Sequence, residues 1–172
     1  MDSEGQQQLI SLRPCGLVVD ARGCTLKKDF YAKELAFVNT LTQDYWVGTF
    51  EPCLDKSYLK KKYVNKIDRE VTEELGLQWK EGQYPYQTAF TVLDYFGQGM
   101  QMYALGSELC QWIQQHTSIC VVNLEELFGN RMEPPRDVII DCQYDHCTAN
   151  CALNRAMYYS QCLNDLFNLK SQ

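Results

Sequence analysis

An excess of basic charge is the first thing this chain lacks. Its 16 Lys+Arg stand against 22 Asp+Glu, for a net charge of −6 and a pI near 4.9. Phosphate contacts supply most nonspecific nucleic-acid affinity, so this balance argues against strong nonspecific binding to nucleic acid. No window approaches the ~20 consecutive apolar residues of a membrane-spanning helix. Residues Met1 to Glu4 and the glutamines that follow carry no basic-then-apolar leader pattern, so an intracellular location, cytoplasmic or nuclear, is expected. Internal repeats and low-complexity linkers are also missing.

What is present is an ordinary core-forming composition: 172 residues, 45% of them apolar and 22% charged. That length fits one domain, read as residues 12–169 behind a polar lead-in at 1–11. Nine cysteines are unusual. Without a secretory signal they are expected to stay reduced, as buried thiols or metal ligands.

The pattern along the chain predicts three strands in close succession. They are Cys15 to Asp20, Phe30 to Asn39 and Tyr45 to Phe50, each rich in β-branched or aromatic residues. Alternation in the second puts Phe30, Ala32, Glu34, Ala36 and Val38 on one face, and Tyr31, Lys33, Leu35 and Phe37 on the other. A helix over Asp55 to Glu74 stops at Gly76. Further helices are read at Tyr86–Tyr95 and Ser107–His116, and strands at Met100–Leu105 and Ile119–Leu124. A long final helix runs from about Ala149 to Leu169, with Ala152, Ala156, Tyr159, Leu163 and Leu166 on its apolar side. The order βββαβαβα describes an α/β fold: an antiparallel trio continued by parallel strands, one mixed five-stranded sheet flanked by helices. That is the order of the RNase H-like superfamily, DnaQ-type exonucleases included.

The densest chemistry lies before the last helix. Cys142, His146, Cys147 and Cys151 fall within ten residues, and His146 is one of only two histidines. The other, His116, closes a helix, where a structural or dipole role is expected. Zinc takes four Cys, His or carboxylate ligands in a tetrahedron. Unrelated buried cysteines are the competing reading. If zinc is bound, the fourth ligand is either Cys147, giving a local site, or Glu34. Glu34 is a carboxylate on a mostly apolar strand face, where an unpaired charge is costly. In the second case a structural Zn²⁺ would clip the last helix to the sheet.

Several stretches resemble the Maelstrom-type domain, a DnaQ-related branch of the RNase H-like fold. They are VVDARG (Val18 to Gly23), KELAFV (Lys33 to Val38), LGLQWKEG (Leu75 to Gly82), YALGSELCQWI (Tyr103 to Ile113), ICVVNLEEL (Ile119 to Leu127) and the closing Cys142 to Leu153. Proteins of the same build from invertebrates and mobile elements are nearer still. The resemblance implies a Glu-Cys-His-Cys zinc site, carried here by Glu34, Cys142, His146 and Cys151. Three residues separate Cys142 from His146, one more than that family pattern has.

A DnaQ-type centre needs Asp-x-Glu at the end of the first strand, to help hold two metal ions that activate water. Here Asp20 is followed two residues on by Arg22, a cation that would repel Mg²⁺. The strand Met100 to Leu105 has no carboxylate. The closing His-x-x-x-x-Asp spacing is occupied by His146 and Cys151. Two-metal nuclease activity is therefore not expected. The leading expectation is a catalytically degenerate module that binds a protein partner or RNA, in RNA silencing or transposon control as the resemblance implies. The alternative is a single-strand RNA-binding domain with weak metal-independent cleavage, using Lys27, Lys28, Lys60, Lys61, Lys62 and Lys66. A third reading has exposed Tyr45, Trp46, Tyr158 and Tyr159 mediating self-association.

Overall fold

A computed structural model describes residues 16–129, 132–139 and 150–170. Five strands form one sheet: β1 Gly16–Leu26, β2 Asp29–Asn39, β3 Tyr45–Thr49, β4 Gln101–Ala104 and β5 Val121–Asn123. Their spatial order is β3-β2-β1-β4-β5. The pairs β1/β2 and β2/β3 are antiparallel, while β1/β4 and β4/β5 are parallel. The helices are α1 Lys61–Ile67, α2 Thr88–Gly97, α3 Ser107–His116, α4 Leu124–Phe128 and α5 Ala152–Lys170. This mixed sheet with flanking helices is the expected α/β architecture, RNase H-like in strand order and direction.

Both faces of the sheet are covered, which is why β1 and β2 read as nearly continuous apolar runs. On one face Leu17, Val19, Leu35 and Phe37 pack against Ala89 and Leu93 of α2 and Trp112 and Ile113 of α3. On the other, Val18, Ala36 and Val38 meet Ala152, Ala156, Tyr159 and Leu163 of α5. The apolar stripe read for the last helix is thus the buried one. A third cluster (Cys24, Leu26, Ile67, Val71 and Trp79) seats the α1 region against the far end of β1. That cluster explains why β1 continues six residues past the expected end at Asp20.

The register of β1 and β2 slips between Arg22 and Gly23: Arg22 faces Glu34, but Gly23 faces Ala32. Lys33 is the extra residue of a β-bulge. The strict alternation expected for β2 is corrected here, because the bulge flips the strand by one residue. Phe30 and Ala32 join the cluster of Leu35 and Phe37, leaving Glu34, Ala36 and Val38 toward α5.

The single helix expected over Asp55 to Glu74 is also corrected. Asp55 accepts from the Ser57 backbone N–H at 2.9 Å and caps a short 3-10 turn, Lys56–Tyr58. Lys60 is then extended (φ −65°, ψ 149°) before α1 begins. α1 runs into a wide π turn over Asp68–Glu73, and the chain leaves through Gly76 at φ +68°. The short helix α4 had no separate signal. Asn123 accounts for it by accepting from Glu125 N and from Gly106 N, each at 3.0 Å.

The bulge also buries Lys33 completely. Its ammonium donates to the carbonyls of Phe50 (2.7 Å), Trp79 (2.9 Å) and Glu81. Burial pushes its pKa down to about 8, against the pull of Glu51 and Glu81. This one side chain ties β2 to the loop after the π turn. Lys33→Met keeps the aliphatic stem and orphans three carbonyls, so it should lower unfolding free energy by about 2–4 kcal/mol in urea titrations. An unchanged urea midpoint would contradict that role.

Candidate functional site at the end of strand β1

Residues 18, 20 and 22 of β1 follow one face by the two-residue period, and past Val18 that face turns polar. Asp20 is 1% exposed. Its Oδ2 lies 3.2 Å from Arg155 Nε of α5, an ion pair whose alignment falls outside hydrogen-bond geometry. The Arg155 guanidinium sits over the Tyr159 ring, 5.7 Å from its centre. Burial drives the Asp20 carboxyl up to about 6, and Arg155 and Arg22 only partly offset that rise. Arg22 is pulled below its usual value by burial and then by Arg155, against Asp20 and Glu74.

A cavity of about 490 Å³ opens beside this pair, with Arg22, Lys66, Glu70, Glu74, Glu108 and Arg155 among its walls. Much of its charge is already engaged. Lys66 Nζ donates to Thr25 O at 2.6 Å. Glu70 accepts from Cys24 Sγ at 3.2 Å, and Glu108 from Thr25 Oγ1 at 2.9 Å. The walls of the cavity beside Asp20 are thus an interleaved set of opposite charges, able to hold a ligand by polar contacts.

Glu34 is fully buried, as is Cys151 at 1% exposure. Glu34 Oε1 accepts from the backbone N–H of Ala152 at 2.6 Å, and Cys151 Sγ accepts from Asn154 N at 3.3 Å. Two of the four expected zinc ligands therefore each bond a backbone N–H in the first turn of α5. Cys142, His146 and the alternative ligand Cys147 lie outside the described residues. Among the described residues, no group of three His, Cys, Asp or Glu could hold a metal. Asn154 ties the chain just before that stretch to α5, accepting from Ile139 N at 2.5 Å and donating to Asp137 O at 3.2 Å.

The lysines fall in two groups. Lys27, at φ +59°, and Lys28 form the exposed β1–β2 turn. Lys60, Lys61 and Lys62 lie exposed at the start of α1, with Lys62 over the Tyr63 ring at 4.9 Å. Lys66 belongs to the second group but reaches the first hairpin through Thr25. His116 has its expected structural place: its Nδ1 is 2.9 Å from Trp112 O and its ring stacks on Phe90. The exposed aromatic set is corrected. Tyr159 is fully buried under α5, and Trp46 stacks on Tyr84 against the core. Of the four, Tyr45 alone is substantially exposed.

Arg155 was missed by the sequence reading. Its signal was available: one cation inside the stripe formed by Ala152, Ala156 and Tyr159.

No known family profile matches the chain, and no curated protein matches it. Among solved structures it is similar to the Mopeia virus exonuclease domain, in a form described as fully depleted of manganese. The identity is 12% and the TM-score 0.47, over 95% of this chain and 86% of that one.

The raised Asp20 value has a definite consequence for stability. Between the unfolded value near 3.8 and the folded value near 6, the native state binds the proton and the unfolded state does not. Stability therefore falls as pH rises through that window, by an amount of the order of 3 kcal/mol. Asp20→Asn should remove this slope. Urea midpoints at stepped pH would show it as a wild-type-minus-variant difference that changes between pH 4 and 6 and is flat above. A difference constant across the window would refute the assignment.

Proposed function

We propose that this domain is a catalytically degenerate nuclease-fold module that binds a protein or RNA partner. RNA silencing or transposon control is the setting implied by the Maelstrom resemblance. The observation that carries the reading is the buried Asp20–Arg155 pair at 3.2 Å, with Arg22 two residues along the same strand. A two-metal centre draws its power from carboxylates that concentrate negative charge. Here a guanidinium from α5 neutralises the strand-end carboxylate instead. Binding surfaces tolerate such charge cancellation, whereas metal-ion catalysis does not. Labelled single-stranded RNA and DNA should stay intact with the purified domain in Mg²⁺ or Mn²⁺. Cleavage that requires the metal and disappears in Asp20→Asn would overturn the proposal.

A second reading keeps single-strand RNA as the ligand, with weak cleavage that needs no metal. Its support is the Lys66–Thr25 contact, which sets α1 and its lysines alongside the hairpin bearing Lys27 and Lys28. Filter binding across a salt series decides it. Affinity falling steeply with salt, and weakened in Lys27→Ala/Lys28→Ala, supports it; no retention at low salt removes it.

The reading also includes a structural Zn²⁺ held by Glu34, Cys142, His146 and Cys151. The fit rests on the burial of Glu34 and Cys151, joined through the Ala152 backbone. A bound metal would join the Glu34 carboxylate and the Cys151 thiolate in one coordination shell at the start of α5. Purified protein should contain about one zinc per chain and lose thermal stability in chelator. Metal content should drop in Glu34→Gln and persist in Cys147→Ser. The reverse result would move the ligand set to the local cysteine.

A further inference from the structure

Although the chain is acidic overall, positions 56–66 carry five lysines and no acidic residue. Two of the five are engaged, Lys56 by Asp68 and Lys66 by Thr25 O. Lys60, Lys61 and Lys62 remain, consecutive at the entry to α1 and all exposed. The first turn of α1 holds no acidic residue to offset them. Asp55 precedes them, its carboxyl held below the usual range by the Ser57 N–H that it accepts and then by Lys80. The acids that follow, Asp68, Glu70 and Glu73, belong to the π turn after Ile67. Three adjacent like charges of this kind favour a bound polyanion.

Tyr58 narrows the class of polyanion. It ends the 3-10 turn Lys56–Tyr58, two residues before Lys60, and is 88% exposed. Its apolar neighbours turn inward: Leu54, Leu59 and Tyr63 pack on the cluster around Ile67 and Trp79. The surface therefore presents one aromatic ring beside three ammonium groups, and no wider apolar area. An anionic membrane surface would bury a set of apolar side chains along with the charges. An acidic peptide would neutralise the lysines and leave the ring unused. A nucleic-acid strand supplies both complements, phosphates for the lysines and a base face for the ring. In a duplex each base is already stacked between its neighbours, so only an unpaired base can lie on Tyr58.

We propose that Tyr58 is a stacking platform for an unpaired base, with Lys60, Lys61 and Lys62 holding phosphates of the same single strand. The proposal rests on the single-strand RNA reading above and assigns the preference for single strands to one ring. Stacking is blind to the sugar, so single-stranded DNA binds there as RNA does.

The test uses the full chain and a fluorescein-labelled oligouridylate, followed by anisotropy across a salt series. Tyr58 lies in a turn without buried residues, so removing its ring leaves the core untouched. Tyr58→Ala is expected to weaken binding on the order of tenfold without changing the dependence on salt. Tyr58→Phe keeps the ring and should keep the affinity. Lys60→Ala/Lys61→Ala should flatten the slope of log affinity against log salt by roughly 1.4. An RNA duplex should bind more weakly and not respond to Tyr58→Ala. Wild-type affinity in Tyr58→Ala would overturn the proposal and leave the single-strand reading standing. Equal losses in Tyr58→Phe and Tyr58→Ala, or a duplex as sensitive to Tyr58→Ala as the single strand, would overturn it too. No binding of oligouridylate at low salt would remove both.

Discussion

Charge buried between the sheet and the last helix constrains everything around it. Asp20 and Glu34 are both removed from water on adjacent strands, and the Glu34 charge adds to the burial that raises the Asp20 pKa. Charged groups in that position must find partners or stay neutral. Helix α5 supplies both partners from its first turn and the next. The Ala152 N–H meets Glu34, where the positive end of a helix favours an anion, and Arg155 meets Asp20. The helix is thereby placed along the sheet by polar contacts at its start, while Ala156, Tyr159 and Leu163 supply the apolar area. The contacts that fix the architecture also occupy the Asp20 carboxylate.

The bulge at Lys33 makes this arrangement possible. An unbroken β2 would carry Phe30 and Ala32 to the α5 side with Glu34, and deprive the α2–α3 side of both. Inserting one residue lets the strand serve two cores: Ala32 packs with Leu35 and Phe37, while Glu34 turns to Ala152. The extra residue is a lysine whose ammonium satisfies three loop carbonyls. Hydrogen bonding in this way offsets the penalty of burying a cation, and it fixes the loop that closes over the third cluster around Trp79.

The sequence carried the order and type of the main elements because their signals are long and periodic. Ser107–His116 is the helix expected, and the buried side of α5 is the stripe that was read. Glu34 was legible for a physical reason, since a carboxylate among apolar neighbours needs explaining. The bulge was not legible. A single inserted residue leaves both faces of β2 mostly apolar, so either phase of the alternation buries enough surface. Arg155 was obscured by the opposite prejudice. Long amphipathic side chains are read as surface groups, yet here the ring and the guanidinium pack on each other. The break before Lys60 hid because charged residues at helical spacing continue across it, and only the cap at Asp55 marks a separate turn.

The charge around the end of β1 follows from the same contacts. Pairing Asp20 with Arg155 removes a guanidinium that would otherwise hold an anion. Tying Lys66 to Thr25 engages a second cation. Glu70, Glu74 and Glu108 stand in the same walls as Arg22 and Lys66, so charges of both signs are interleaved around the pair. The strand-end carboxylate is thereby committed to an ion pair with the last helix.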